Sequence, residues 1–332
     1  MVTRVVWNVP QKQQVAIRPI SRNTTRRPCL MTSKTNTQFE LDAPSGQLIV
    51  GALAGFLAAV IWGLWPVLTR FGVTSNFSAP EIVAVRFIFA GLLLLPYYIR
   101  KRVWQRIAPV KSFVIASGAG AIYVYVSALG LKFVPAGHLG VVETGTMLVL
   151  SALGGYLFLN EKKNVVQVAG YAVIFGGLAL VNWQSLTVEA TTETLRGDLL
   201  LVLGGVLWAS YTVLSKKWNL ASWDAVAAVS VWSLLIWVPL IFVFGDVHLT
   251  WDNAGAWLIQ GVGQGVITAV LGLWLYSVAV QILGASRGSL FGALVPAFAM
   301  IGGLLFLFEV PTSFELVGVC LTTLGILVSL RR

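Results

Sequence analysis

From Leu48 to Leu330 the chain alternates long apolar runs with short polar breaks. A helix that crosses a bilayer needs about 20 mostly apolar residues. Ten runs suit that length: 48–69, 81–99, 111–131, 135–159, 165–183, 197–216, 224–244, 255–282, 286–308 and 313–330. The breaks between them carry turn or charge signals, as in Asn76-Phe77-Ser78-Ala79-Pro80, Arg100-Lys101-Arg102, Glu161-Lys162-Lys163-Asn164, Lys216-Lys217 and Val310-Pro311-Thr312. Only 184–196 is a longer break, and it is polar. Loops this short leave no room for an extramembrane domain. The pattern predicts an all-α integral membrane protein with ten transmembrane helices.

The first 46 residues break the pattern. They hold Arg4, Lys12, Arg18, Arg22, Arg26, Arg27 and Lys34 against the acids Glu40 and Asp42, and no long apolar run. A secretory signal needs an apolar core of about 7–15 residues, which is missing. In composition the Arg-rich stretch before Met31 resembles a transit peptide. The favoured readings are a disordered cytoplasmic tail, too polar to bury a core, or synthesis that begins at Met31.

Composition turns the helical pattern into a statement about solvent. Apolar residues make up 57% and charged residues 11% of the 332, with a mean hydropathy of +0.82. A soluble domain carries about 25% charged residues to wet its surface. This surface must instead face lipid, which excludes a soluble enzyme, a nucleic-acid binder and a disordered scaffold. The net charge of +10 is not a nucleic-acid signal, because the basic residues lie in short loops. With the N-terminus in the cytoplasm, the inner side holds Arg100, Lys101, Arg102, Arg106, Lys111, Lys162, Lys163, Lys216, Lys217, Arg287, Arg331 and Arg332, and the outer side only Arg70, Lys132 and Arg196. That asymmetry predicts a multi-pass protein of the inner membrane with both termini cytoplasmic. Two cysteines, Cys29 and Cys320, and two histidines, His138 and His248, form no CxxC and no metal-ligand spacing, so no cofactor or metal is expected.

An internal repeat is the most informative feature. Shifted by 148 residues, Gly154-Gly155-Tyr156-Leu157-Phe158-Leu159-Asn160-Glu161 falls on Gly302-Gly303-Leu304-Leu305-Phe306-Leu307-Phe308-Glu309, and six of the eight are identical. The same shift aligns Gly140 with Gly288, Gly170 with Gly318 and Gly177 with Gly325. A shift of 146 lays Trp62-x-x-x-x-Val67-Leu68-Thr69-Arg70 on Trp208-x-x-x-x-Val213-Leu214-Ser215-Lys216. Spans one to five (47–183) therefore repeat as six to ten (197–330), joined by 184–196. Five is odd, so the halves must cross the membrane in opposite senses. Inverted repeats place a binding site near the midplane, at the interface of the halves, and rock about it.

At this point the chain resembles the drug/metabolite transporter superfamily, and within it the EamA-domain permeases, over about residues 48–330. The resemblance rests on the Trp62…Arg70 first span, the opening Ala79-Pro80-Glu81…Arg86 of the second, and Gly302–Glu309 after Pro296. It implies ten helices as two inverted five-helix units. Such permeases move amino acids, nucleosides, quaternary amines, sugars and drugs, so it implies no single substrate. Two positions depart from the family: Leu148 stands where the second half has Pro296, and Glu143 stands where an apolar or small residue is usual.

The candidate substrate-binding residues are Trp62, Trp65, Arg86, Glu143, Trp208 and Tyr211. Glu143 lies eight residues into the fourth span, about 12 Å deep at ~1.5 Å per residue. Ionisable groups at that depth are costly and mark functional sites. It can accept a proton, face a cationic substrate, or pair structurally with Arg86, which lies at a similar depth in the second span. Arg86 also resembles an arginine typical of the family, which strengthens a structural role. Its functional alternative is to grip a substrate carboxylate with its guanidinium fork. Trp62, Trp65 and Thr69 share one helix face, and Trp208, Tyr211 and Ser215 repeat the pattern in the second half. Belt aromatics belong at helix ends, whereas Trp62 and Trp208 lie well inside, so a cavity lining is favoured. Tyr123, Tyr125, Trp274 and Tyr276 are weaker additions. His138 reads as a polar residue at the outer end of span four rather than a proton relay. The glycine pairs Gly51/Gly55 and Gly288/Gly292 read as helix packing. Gly261-Val262-Gly263-Gln264-Gly265 follows no strand and is not a nucleotide fingerprint.

The reading is a secondary permease for a small organic metabolite or drug, working by alternating access and favouring export. Its partners are the substrate, the lipid bilayer and, as candidate coupling ion, the proton; no nucleic acid is involved, and the oligomeric state is open. The alternatives are an uptake permease for a polar metabolite such as a quaternary amine, a channel, or an intramembrane enzyme. The enzyme would need a nucleophile–base pair or a metal cluster that the sequence does not display.

Overall fold

The structure is a computed structural model that describes residues 45–75, 77–159, 164–187, 192–245, 247, 254–283 and 290–329. Nearly all of the basic tail, Glu161, Glu189, Asp252, Arg287 and Gly288 lie outside them. Every regular element among the described residues is helical. Among the described residues, seven helices are long and apolar enough to cross a membrane: α1 Gly46–Ser75, α2 Ala79–Arg100, α3 Pro109–Gly130, α4 Ala136–Leu159, α6 Thr192–Lys217, α7 Ser222–Phe244 and α8 Ala254–Ala279. Three shorter apolar helices complete the set: α5 Val165–Val181, α9 Phe291–Leu307 and α10 Ser313–Ser329. Large apolar side chains such as Leu93, Phe175, Val243 and Phe306 point outward and stay exposed. The predicted polar break at 184–196 is narrower in the structure, because helix continues to Thr187 and resumes at Thr192.

Local chemistry explains the helix ends. Ser78 and Glu81 form a capping box, each side chain bonding the other's backbone N–H, with Pro80 in the first turn of α2. α9 ends at Phe308, which turns left-handed at φ 55°. The Glu309 N–H then closes back onto the Gly303 carbonyl at 3.1 Å, and this aims the Glu309 carboxylate into the bundle.

Helix α1 packs against α8 and α9, while α6 packs against α3 and α4; α2 lies on α7 and α8, and α5 runs along α10. The α5–α10 contact is a glycine seam. A Cβ on Gly170 would stand 2.8 Å from the Gly325 carbonyl oxygen, and one on Gly177 would stand 2.7 Å from that of Gly318. Only glycine allows the two backbones to come this close.

Several helices are irregular in their middles. α3 breaks at Gly120, with φ −102° and ψ −131°. The Ala121 N–H freed by the break finds the Ser233 hydroxyl of α7 at 3.3 Å. Wide π turns occupy Leu139–Glu143 in α4, Ser233–Trp237 in α7 and Gly261–Leu271 in α8. Such turns are rare, and they often accompany functional sites.

Candidate functional site

Tyr123 of α3 is the hub of a buried aromatic and polar cluster. Its ring stacks on Trp65 of α1 with centroids 5.8 Å apart, and tilts against Trp208 of α6 at 4.8 Å. Trp208 in turn meets Tyr211 at 5.8 Å, edge-on. The side chains come from both halves of the chain. Trp65, Arg86, Tyr123, Glu143, Trp208 and Gln264 each lie seven to ten residues from the nearer end of their helices. At ~1.5 Å per residue that is a depth of about 10–15 Å, close to the middle of a ~30 Å hydrocarbon layer.

Glu143 closes the π turn of α4 and is buried. The Tyr123 hydroxyl donates to its Oε1 at 2.5 Å, and the Ser127 hydroxyl lies 2.6 Å from its Oε2. Gly204 of α6 makes the space for this carboxyl: a Cβ there would stand 2.5 Å from Oε2. The Ser127 hydroxyl also lies 2.9 Å from the Tyr123 carbonyl. An ionised Glu143 takes the serine hydrogen. A protonated Glu143 donates to Ser127, which then turns its hydrogen to the carbonyl. The site therefore accommodates either protonation state by rotating one hydroxyl.

Arg86 of α2 is buried against Trp65. Its guanidinium carbon lies 5.3 Å from the Trp65 ring centre and 5.9 Å from that of Phe87. Nη1 donates to Gln264 Oε1 at 3.2 Å, and the Trp65 indole N–H donates to the same oxygen at 2.7 Å. The amide nitrogen of Gln264 reaches the Thr69 hydroxyl at 2.9 Å and Gln260 Oε1 at 3.3 Å. Gln260 donates to the Leu68 carbonyl at 3.0 Å. These two glutamines, at i and i+4 around the π turn of α8, hold α8 on α1 and fix the angle of Trp65.

Five of the six candidate residues thus meet through Tyr123, Trp65 or Trp208. Trp62 does not join them. It donates to the Thr268 carbonyl at 3.3 Å and packs on Tyr276 at 5.2 Å, lining the α1–α8 contact. The Arg86–Glu143 ion pair is not made either: Glu143 accepts from Tyr123 and Ser127, and Arg86 donates to Gln264. Tyr123 is central rather than peripheral. Gln264, Gln260 and Ser127 were hidden in the sequence, where a glutamine within a glycine-rich run reads as packing. An amide inside an apolar span is the signal that could have found them, because its donors and acceptors must be satisfied within the protein.

A second polar cluster ties helix ends together. Arg70 of α1 meets Glu309 Oε1 at 2.8 Å and donates to the Leu131 carbonyl at 2.6 Å, while Glu309 Oε2 accepts the Ala136 N–H at 2.9 Å. Beside it His138 is buried between Asp198 of α6 at 2.8 Å and Glu315 of α10 at 2.9 Å. The C-terminal ends of α1, α3 and α9 therefore share one end of the bundle with the N-terminal ends of α4, α6 and α10. Among the described residues, no three His, Cys, Asp or Glu are placed to hold a metal ion.

Comparison with known proteins gives a coherent picture. The model of the EamA-like transporter family matches residues 49–183 and 195–331. An uncharacterized transporter of Bacillus subtilis is 29% identical over 60% of this chain and 66% of its own. A probable terminal-alkyne amino-acid exporter of Streptantibioticus cattleyicolor is 28% identical over 83% of this chain and 95% of its own. A solved crystal structure superposes with a TM-score of 0.58 at 19% identity, covering 84% of this chain and 96% of the other. At that identity the likeness is one of fold.

Proposed function

Because the chain belongs to the EamA-like transporter family and is an integral membrane transporter of a small molecule, we propose that it exports an organic substrate through a midplane site built around Tyr123. The transporter is a secondary one in the inner membrane, with both termini cytoplasmic. Its two five-helix halves, 47–183 and 197–330, are inverted repeats that rock about the site. Trp65, Tyr123, Trp208 and Tyr211 form the aromatic wall, Arg86 and Glu143 are its two ionisable groups, and Trp62 supports the wall from the α1–α8 contact.

The observation that carries this reading is the Tyr123 cluster itself: buried polar and aromatic groups from both halves, at mid-depth in a bundle whose outer faces are apolar. Inversion is supported by the helix ends. α1 finishes where α6, its repeat mate, begins. The pairings support it too, since α1 on α8 and α9 mirrors α6 on α3 and α4. At the seam Gly170 meets Gly325 while Gly177 meets Gly318, and these are repeat mates exchanged, as a two-fold axis requires. The π turn Gly261–Leu271 of α8 maps by the 148-residue shift onto 113–123, where α3 breaks. Irregular helices at matching places in both halves are expected around a transport site. Export is supported by the likeness to the probable amino-acid exporter of Streptantibioticus, and proton coupling by the two hydrogen-bonding states open to Glu143.

Deletion and overexpression of the gene, with a screen for resistance and accumulation, identifies the substrate; proteoliposomes then measure its transport. Trp65→Ala and Trp208→Ala should each weaken substrate affinity by about tenfold or more, given ~0.5–1.5 kcal/mol per aromatic contact beyond the buried area. Parent-like transport by both variants would place the site elsewhere.

A further inference from the structure

Among the described residues, Arg86 has no anion within ion-pair reach. Arg86 is 8% exposed at mid-depth in α2. Ion pairs among the described residues include Arg70–Glu309, Arg106–Asp224 and His138 with Asp198 and Glu315. None involves Arg86. Glu143, the carboxyl of the cluster, forms no ion pair with Arg86, and its two oxygens accept from Tyr123 and Ser127. Arg86 Nε is buried with no hydrogen-bond partner. Gln264 Oε1 already accepts from Trp65 as well as from Nη1, so it cannot satisfy Nε too. A charge taken out of water without a counter-charge is costly, and the faces of Trp65 and Phe87 compensate it only in part.

We propose that the substrate is a small organic acid whose carboxylate is gripped by Arg86 from its free Nε edge while its apolar part lies on the Trp65–Tyr123–Trp208 wall. The guanidinium is planar and presents paired N–H groups that match a carboxylate. Gln264 holds the fork in place, and a bound acid supplies both the missing acceptor and the missing negative charge. A quaternary amine fits poorly, because the Trp65 face that would receive its positive charge already carries that of Arg86 at 5.3 Å. The inference rests on the reading of the Tyr123 cluster as the substrate site.

The test uses the full chain in phosphatidylcholine nanodiscs, where no anionic headgroup competes. Thermal stabilisation and tryptophan fluorescence are titrated with benzoate, phenylacetate and phenylalanine, with their primary amides, with benzylamine and phenethylamine, and with inorganic phosphate. At least one acid should bind saturably and about tenfold or more tighter than its amide, a difference of about 1.4 kcal/mol. Arg86→Gln should bring that ratio close to one, and Arg86→Lys should leave an intermediate preference. The lysine variant keeps the charge and guards against loss of fold. Trp65→Ala should weaken acid and amide alike. An acid preference that survives Arg86→Gln overturns the proposal. So does preference for an amine, an amide or phosphate alone, or failure of every acid to bind the folded parent. Amine binding that is lost in Trp65→Ala would overturn the substrate class while leaving the site standing. Acid binding indifferent to Trp65 and Trp208 would overturn the site.

Discussion

Ser127 has one hydrogen and two acceptors in reach, the Tyr123 carbonyl and Glu143 Oε2. That count makes Glu143→Gln an informative change. The amide keeps the Tyr123 bond at Oε1 and donates to Ser127 from Nε2, as the protonated acid would. The variant should fold in near-parental yield and bind substrate, yet lose accumulation driven by a pH gradient. A gradient-driven rate unchanged from the parent would remove Glu143 from coupling. Gly204→Ala acts on the same carboxyl from the other side, since its methyl would stand 2.5 Å from Oε2. Overpacking of this kind costs about 1–3 kcal/mol, and the melting temperature and substrate affinity should fall together. Glu143 could be found by reading, because an acid inside an apolar run is conspicuous. Its partners could not, since Tyr123 and Ser127 lie on another helix.

At the scale of the element, broken helices need partners that the linear pattern does not announce. The α3 break leaves the Ala121 N–H to the Ser233 hydroxyl of α7. Ser233→Ala should cost about 1–3 kcal/mol, the range for a buried donor left unsatisfied, read as a lower melting temperature in detergent. Glu309 satisfies both Arg70 and the Ala136 N–H at the helix ends. Glu309→Gln should therefore lower stability by a similar ~1–3 kcal/mol, and Arg70→Met should cost less in that background than in the parent. Additive losses in a double-mutant cycle would show that the pair is not coupled. The ten apolar runs anticipated these helices well. The π turns of α4, α7 and α8 and the Gly120 break were not legible, because periodicity reports which face is apolar and not where the winding changes.

At the scale of the molecule, the proposed inversion of the halves makes a clean prediction. Single cysteines at Asn76, Glu189 and Asp252 should react with an impermeant reagent from outside, and those at Arg102, Asn164 and Lys217 should not. Matching accessibility of the first half with reversal in the second would sink the inversion. The glycine seam adds a second check: Gly177→Leu should separate α5 from α10 and lower folded yield, whereas leucine at Gly176, where a Cβ meets nothing within 4 Å, should be tolerated.

What the sequence determined by itself follows from solvent. A chain with 11% charged residues must satisfy its backbone in helices and face lipid, so the all-helical, membrane-embedded fold was legible from composition and run length, and the family resemblance from the motifs of the first, second and ninth runs. The 148-residue shift also carried the expectation of two related halves, because repeated packing demands repeated residues. Tertiary structure alone decided which aromatics meet. Trp62 and Trp65 lie one turn apart on α1 and share a predicted face, yet one packs on Tyr276 and the other on Tyr123. Arg86 and Glu143 lie at matching depths, yet one bonds Gln264 and the other Tyr123 and Ser127. Depth is a property of one helix and can be counted along it. Contact depends on how neighbouring helices cross and rotate, which the side chains of every helix in the bundle settle together.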